Sequence, residues 1–471
     1  MTKLFNDKDF WKTAIKLAMP VALQNMLTSS FTLVDTLLVS RLGDVTLASV
    51  GMCGQWGWLM NMFIFGVCSA TAVFVSQYWG VKDKAKIRIT MGISLTVALI
   101  VSLLFFVLSF SFPHTVLGLF NRGEAADSPI ITTGSYYLVI IAFSYPAVAI
   151  TNVLSVVLRS TEKVRLPMYV SAVTTVTNII LDYCMIFGKF DFPEMGVRGA
   201  ALATVISLWL GVAVLVIISA ATKNILITNI KNVFGYTLND VKIYARKAVS
   251  VILNETLWGA GVFVYNLIFS NMGYEYYAAI TIQRSFENIS YVFFIGFCSA
   301  CAVMVGKAIG KGNIEEGIQN SRRFLTIIPV SAIFIGAIAI IFRSQLVGLF
   351  DMGNNISELT ISSAKAIIVI YSVMMPIRSL EYVFIVGVLR SGGNTYSAMK
   401  IDLASLWLFS IPATLIAAYV IKAPFVVCFI VMYVFEDFIK VLLCNHHYRS
   451  LKWIKPVTEE GRKGLEEYLN G

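Results

Sequence analysis

Several long stretches of this chain contain no Asp, Glu, Lys or Arg, among them residues 89–121, 199–222, 256–274, 288–306, 324–342 and 403–421. Each is long enough to cross a hydrocarbon core as a helix, which takes roughly 17–25 apolar residues. Only 14% of the 471 residues are charged, whereas soluble domains carry about a quarter. The alternation that marks barrel strands is absent. The chain therefore reads as an all-α polytopic membrane protein. Twelve spans are expected near 14–39, 48–78, 89–112, 133–158, 167–188, 198–221, 247–270, 280–306, 324–342, 363–389, 400–421 and 424–443. The first is too long for a cleavable signal and lacks a small-residue cleavage site.

The net charge of +10 would suit a nucleic-acid partner if it were clustered on a folded surface. Instead it follows topology. Of the 37 Lys and Arg, 27 lie in the N-terminus, the even-to-odd loops and the tail, and seven in the loops on the other side. The positive-inside rule then predicts a multi-pass protein of the cell (inner) membrane with both termini cytoplasmic. The bilayer is the expected partner, with no nucleic acid, and the chain is expected to act as a monomer. Seven cysteines are spread over the spans, and Cys298 and Cys301 form an isolated CxxC in an apolar helix. They read as small residues for close helix packing.

One apolar segment is written twice. Residues 66–80 read GVCSATAVFVSQYWG and residues 296–310 read GFCSACAVMVGKAIG, with eight of fifteen positions identical at an offset of 230. The same offset pairs Ala18 with Ala248, Ser40 with Ser270, Gly43 with Gly273, Ala48 with Ala278 and Pro146 with Pro376, and LRS recurs at 158–160 and 389–391. Six spans per half is an even number, so both halves enter the membrane from the same side. The repeat is parallel, and its pseudo-twofold runs along the membrane normal. The expected division is an N-lobe at 1–221, a cytoplasmic linker at 222–246, a C-lobe at 247–445 and a cytoplasmic tail at 446–471. Two related six-helix lobes suit alternating access around a midplane site.

Ionisable groups at helix centres cost at least about 2.5–3.5 kcal/mol each, so each needs a reason. Asp35 sits midway along the first span, in FTLVDTLLVS, and Asp182 on the fifth, in NIILDY. Asn178 is four residues before Asp182, on the same helix face. Together they offer hard oxygen ligands that could hold Na⁺, or take up a proton, because an apolar surrounding and a like-charge neighbour both favour a neutral carboxyl. Glu255 lies in VILNETLW, and the repeat sets Asn254-Glu255 against Gln24-Asn25. Arg378 and Glu381 are three apart, as are Arg284 and Glu287, a spacing at which each couple can pair along its own helix. Asn152 is read as the N-lobe counterpart of Glu381. Asp402, Glu436, Asp437 and Lys440 read as interfacial. The aromatic content is 13%, and Tyr137 is among the residues expected to line an aromatic cavity for flat, greasy cations.

Several classes are excluded. GKAIGKGN at 306–313 does not match a phosphate-binding loop, so ATP is not the expected energy source. The histidines, His114, His446 and His447, make no metal-ligand spacing, and no nucleophile–base set is visible. The chain is not expected to be an enzyme or to need a cofactor beyond a coupling ion.

The chain resembles the multidrug and toxic compound extrusion (MATE) family over about residues 10–450. The resemblance rests on Pro20 followed by LQN, VDTLLVSRLG at 34–43, LRST at 158–161, NIILDYCMIFG at 178–188, MGVRGAALAT at 195–204, LNETLW at 253–258, FFIGFCSACAVMVGKAIGKGN at 293–313 and GVLRSGGNT at 387–395. It implies twelve helices in two six-helix lobes and drug export driven by inward Na⁺ or H⁺. It implies an N-lobe coupling site at Asp35, Asn178, Asp182 and Thr204, and a C-lobe site at Glu255 with a tenth-helix acid. The latter position is Ser379 here, with Glu381 two residues on. The implied substrates are organic cations or other amphipathic small molecules. Ion entry into the Asp35 cluster would bend the first helix near Pro20 and displace the drug. Electroneutral 1:1 exchange of monovalent cations yields only about tenfold accumulation from a tenfold ion gradient, or about 1.4 kcal/mol. Stronger export needs more than one ion, which would give both lobes' acids a purpose. The rival readings are a lipid-linked precursor flippase, which would want a basic cavity, and a membrane-embedded transferase, which would want a His or nucleophile set.

Overall fold

The computed structural model describes residues 7–119, 128–348 and 357–470; Lys3 and Arg122, counted in the charge tally, lie outside them. The described residues form long helices: α1 Lys8–Ser40, α2 Asp44–Gly80, α3 Lys84–Ser111, α4 Pro129–Ser160, α5 Arg165–Phe187, α6 Val197–Ala221, α7 Leu238–Met272, α8 Tyr274–Gly310, α9 Ile314–Ile341, α10 Glu358–Arg390 and α11 Thr395–Val420. These eleven are long and apolar enough to cross a membrane. The twelfth expected span, α12, is helical too. It runs from Phe425–Tyr433 through Val434–Phe438 into Ile439–Arg449, and Glu436, Asp437 and Lys440 interrupt its apolar run. Exposed Leu104, Val107, Phe334 and Ile341 suit lipid rather than water.

Short motifs start these helices. Gly312 (φ +85) turns the chain, and the Asn313 side chain then accepts from Glu316 N at 3.2 Å to cap α9. Gly393 (φ +96) and Asn394, which accepts from Ser397 N at 3.3 Å, do the same for α11. Positive φ suits glycine, and Asn caps by accepting an orphan helix N–H. The KGN and GGN tripeptides are thus two copies of one turn. Ser128 caps α4 by accepting from Ile131 N at 3.4 Å, with Pro129 as the first helical residue.

The helices gather into two compact units. One consists of Leu23–Val75 and Lys84–Ala248. In it α5 and α6 lie in close contact, because a Cβ on Gly199 would stand 2.5 Å from the Met185 carbonyl oxygen and one on Gly211 2.5 Å from Thr174 Oγ1. The other consists of Val249 onward together with the residues up to Ala22 and Ser76–Asp83. There Gly296, the first residue of the doubled segment, meets α1: a Cβ would lie 2.7 Å from Ala18 O. Cys298 and Cys301 are buried with free thiols. Their sulfurs face the backbone of α10, 3.9 Å from Tyr382 O and 3.5 Å from Gly387 O. Four segments of this second unit are wound as π-helix: Val383–Arg390, Ser405–Ser410, Ile416–Val420 and Val434–Phe438. Such widened turns are uncommon and often accompany functional sites.

The segment after α12 is docked rather than loose. Trp453 is fully buried, and Gly392 packs against its ring. Lys455 N donates to Gly392 O at 2.7 Å, Val457 N to Gln77 Oε1 at 2.7 Å and Thr458 Oγ1 to Gly310 O at 2.7 Å. Helix α13, Glu459–Asn470, follows. Burying a whole indole is a large stabilising term, so Trp453→Ala is expected to cost about 3–5 kcal/mol. Thermal unfolding in detergent should show this as a marked fall in midpoint; an unchanged midpoint would mean the tail contributes nothing to the unit.

Candidate functional site

The first unit holds a cluster of oxygen donors. Asn178 and Asp182 project from one face of α5 and are both fully buried. Asn178 Nδ2 donates to Thr204 Oγ1 on α6 at 3.3 Å. Thr175 Oγ1, one turn before Asn178, donates to Leu27 O of α1 at 3.5 Å, which ties α5 to the helix that carries Asp35. Asp35 and Asp182 lie close enough to feel each other's charge, and buried Tyr137 of α4 feels both. Asn178 Oδ1, Asp35 Oδ1 and both carboxylate oxygens of Asp182 are buried without a hydrogen-bond partner among the described residues. A buried acceptor left unmatched costs about 1–3 kcal/mol, and more when charged. The four residues that sequence reasoning named here, Asp35, Asn178, Asp182 and Thr204, are therefore brought together. Their acceptor-rich, cation-free donor set fits a small hard cation or a proton.

The second unit holds the opposite arrangement, an ion-pair network. Glu255 Oε1 lies 2.6 Å from Arg390 Nη1. Asn254 Nδ2 donates to Asp402 Oδ2 at 2.8 Å. Lys440 Nζ stands 2.8 Å from Glu381 Oε2, 2.8 Å from Asp402 Oδ1 and 3.4 Å from Glu436 Oε1. The Tyr265 hydroxyl sits between Ser410 Oγ at 2.6 Å and Glu436 Oε2 at 3.0 Å. Arg378 bridges Glu287 at 3.0 Å and Asp437 at 3.4 Å, with its guanidinium over the Tyr433 ring. Six carboxylates, Glu255, Glu287, Glu381, Asp402, Glu436 and Asp437, thus share three cations, Arg378, Arg390 and Lys440.

This network corrects several expectations. Asp402, Glu436, Asp437 and Lys440, read from the sequence as interfacial, are all buried within the protein. The helix that carries Glu436, Asp437 and Lys440 does not stop near residue 443 but continues to Arg449, nine residues past Lys440, or about 14 Å at 1.5 Å per residue. Arg378 and Glu381 do not pair along their helix, nor do Arg284 and Glu287. Arg378 reaches across to Glu287, Glu381 to Lys440, and Arg284 Nη2 donates to Asn266 Oδ1. The register of the repeat sets Glu381 opposite Thr151 or Ile150, one or two residues before Asn152, which is half-buried on α4. Sequence reasoning missed Arg390 as a partner of Glu255. The available signal was the LRS repeat, because its other copy does the same thing: Arg159 Nη1 donates to Gln24 Oε1 at 3.4 Å. In both units the LRS arginine grips the polar pair of the first helix of that half, Gln24-Asn25 or Asn254-Glu255. Pro20 lies inside the continuous helix α1, and the boundary between the compact units falls two residues after it, between Ala22 and Leu23.

The MatE family profile matches residues 20–184 and again 248–416, once in each half of the internal repeat. The chain is 27% identical over 405 residues to the "Probable multidrug resistance protein NorM" of Thermotoga maritima, covering 86% of this chain and 85% of that one. The D35N mutant of the Vibrio cholerae MATE transporter VcmN superposes on it with a TM-score of 0.84 at 19% identity, covering 96% of this chain and all of that one. A MOP superfamily transporter from Pyrococcus furiosus superposes equally well, with a TM-score of 0.84 at 16% identity over 95% of this chain and 97% of that one. With both halves matched and more than half of the residues covered, this multi-pass membrane protein belongs to the MatE family, whose members are multidrug and toxic compound transporters and not enzymes.

Proposed function

We propose that the chain is a secondary active multidrug efflux antiporter, exporting organic, often cationic, compounds in exchange for Na⁺ or H⁺ by alternating access. The observation that carries this reading is the cluster of Asp35, Asn178, Asp182 and Thr204. Two carboxylates stand among apolar helices, and neither forms an ion pair among the described residues, with three carboxylate oxygens and one amide oxygen unmatched. An intramembrane acid without a partner is costly unless a cation or proton visits it. Two carboxylates in one cluster can also accept more than one positive charge, which strong export of a monocation requires. Neutralisation removes their mutual repulsion and lets α1 flex at Pro20, where the missing N–H leaves the helix weak. The chain works in the cell (inner) membrane as a monomer, and its termini are cytoplasmic, an orientation that the distribution of basic residues supports.

The test is efflux of a fluorescent organic cation from proteoliposomes under a Na⁺ gradient or a pH gradient, imposed separately. One gradient is expected to drive efflux in the wild type and not in Asp35→Asn, while Glu255→Gln keeps its coupling. If neither gradient moves any cation, drug antiport is wrong, and a lipid-linked substrate takes its place.

A further inference from the structure

The two lobes carry acids in opposite company. In the first unit, Asp35 and Asp182 have no cationic side chain bonded to them among the described residues. In the second, Lys440 is 1% exposed, and its ammonium points into three carboxylates, from Glu381, Asp402 and Glu436, at 2.8, 2.8 and 3.4 Å. An ammonium has three donors, and all three have an acceptor here. Glu381 and Asp402 come from two other helices, α10 and α11, while Glu436 stands one turn back on the lysine's own helix, so the nest is a tertiary construction built around one i,i+4 pair. It carries one more acceptor, since Asn254, also 1% exposed, gives its Nδ2 to Asp402 while its Oδ1 stays unmatched. A nest of carboxylate and amide oxygens closed on a single positive charge is what a monovalent cation would be offered. Here that charge is covalently attached.

We propose that Lys440 is a built-in cation of the second lobe: its ammonium holds the place between Glu381, Asp402 and Glu436 that an exchangeable ion would take, so this lobe binds no coupling ion. The residue therefore sets how many ions the transporter exchanges and where. Any stoichiometry above one falls to Asp35 and Asp182 together. This last step rests on the antiport reading above; the assignment of Lys440 does not.

The experiment is equilibrium binding of radioactive Na⁺ to the full-length protein in detergent. Asp182→Asn provides a background in which the first cluster has lost a charge. In that background the native Lys440 is expected to show no saturable Na⁺ site that depends on Asp402. Lys440→Met, which keeps length and removes the charge, is expected to create one such site, and a further Asp402→Asn to abolish it. Lys440→Arg, which keeps the charge, is expected to create none. A saturable site in Asp182→Asn that disappears with Asp402→Asn while Lys440 is native would overturn the proposal, as would a folded Lys440→Met protein that gains no site. If Lys440→Met fails to elute as a single species, the comparison with native lysine in Asp182→Asn still decides. Wild-type Na⁺ binding that Asp182→Asn leaves unchanged, and that Asp402→Asn also leaves unchanged, would sink the coupling-site reading alone.

Discussion

Asp182→Asn is expected to abolish ion-driven export and, at the same time, to raise stability. The two signs together separate a coupling acid from a structural one. Both oxygens of Asp182 are buried without a donor among the described residues, so the native fold carries the desolvation cost of that group. The amide is of the same shape, carries no charge and can donate to Asn178 Oδ1, which is itself unmatched. Relief of an unmatched buried acceptor is worth on the order of 1–3 kcal/mol, visible as a rise in the detergent unfolding midpoint. In liposomes the drug gradient sustained by an ion gradient, on the order of tenfold for each coupled monovalent ion in a tenfold gradient, should fall to none, while drug binding at equilibrium persists. If the variant is less stable than wild type, donors must hold the carboxylate, and its proposed visitor is unnecessary. If it is more stable and still couples, the ion is taken up elsewhere.

The second large effect is structural and concerns Arg390. Its guanidinium meets Glu255 at 2.6 Å with both side chains buried. Removing one partner of a buried pair strands the other and typically costs 3–5 kcal/mol, whereas replacing both with apolar residues of similar volume is often neutral. Arg390→Ala is therefore expected to lose about 3–5 kcal/mol, and the double change Arg390→Met with Glu255→Leu to recover most of it. Differential scanning of the purified variants would show it. Equal midpoints for Arg390→Ala and wild type would mean that the pair is incidental, and Glu255 would return as a candidate for coupling. The same outcome would weaken the view that the second lobe's acids serve its fold.

Much of this protein was legible without coordinates. Charge-free runs of membrane-crossing length dictate helices, because a span in lipid must satisfy its own backbone. The doubled segment shows that the chain repeats itself at an offset of 230. Polar residues inside apolar runs are so few that Asp35, Asn178 and Asp182 announce themselves, and α-helical periodicity alone puts the last two on one face. Thr204 was reachable only through the family pattern. The KGN and GGN turns, with their glycines at positive φ and capping asparagines, are local and equally readable.

The pairing of the buried charges was decided only in three dimensions. Spacing along a helix offered Arg378 to Glu381 and Arg284 to Glu287, but i,i+3 contacts compete with cross-helix contacts, and in a low-dielectric bundle a better-placed carboxylate wins. Arg378 therefore goes to Glu287 and Asp437, and Lys440 gathers acids from α10, α11 and α12. The burial of Glu436, Asp437 and Lys440 was equally hidden, because the polar residues that follow them look like the end of a span while the helix runs on to Arg449. Hydropathy counts residues one at a time and sees a charge as a cost. Tertiary packing sees whether that charge has a partner, and so Lys440, Arg378 and Arg390 hold the buried acids of one unit in ion pairs while Asp35 and Asp182 in the other have none among the described residues.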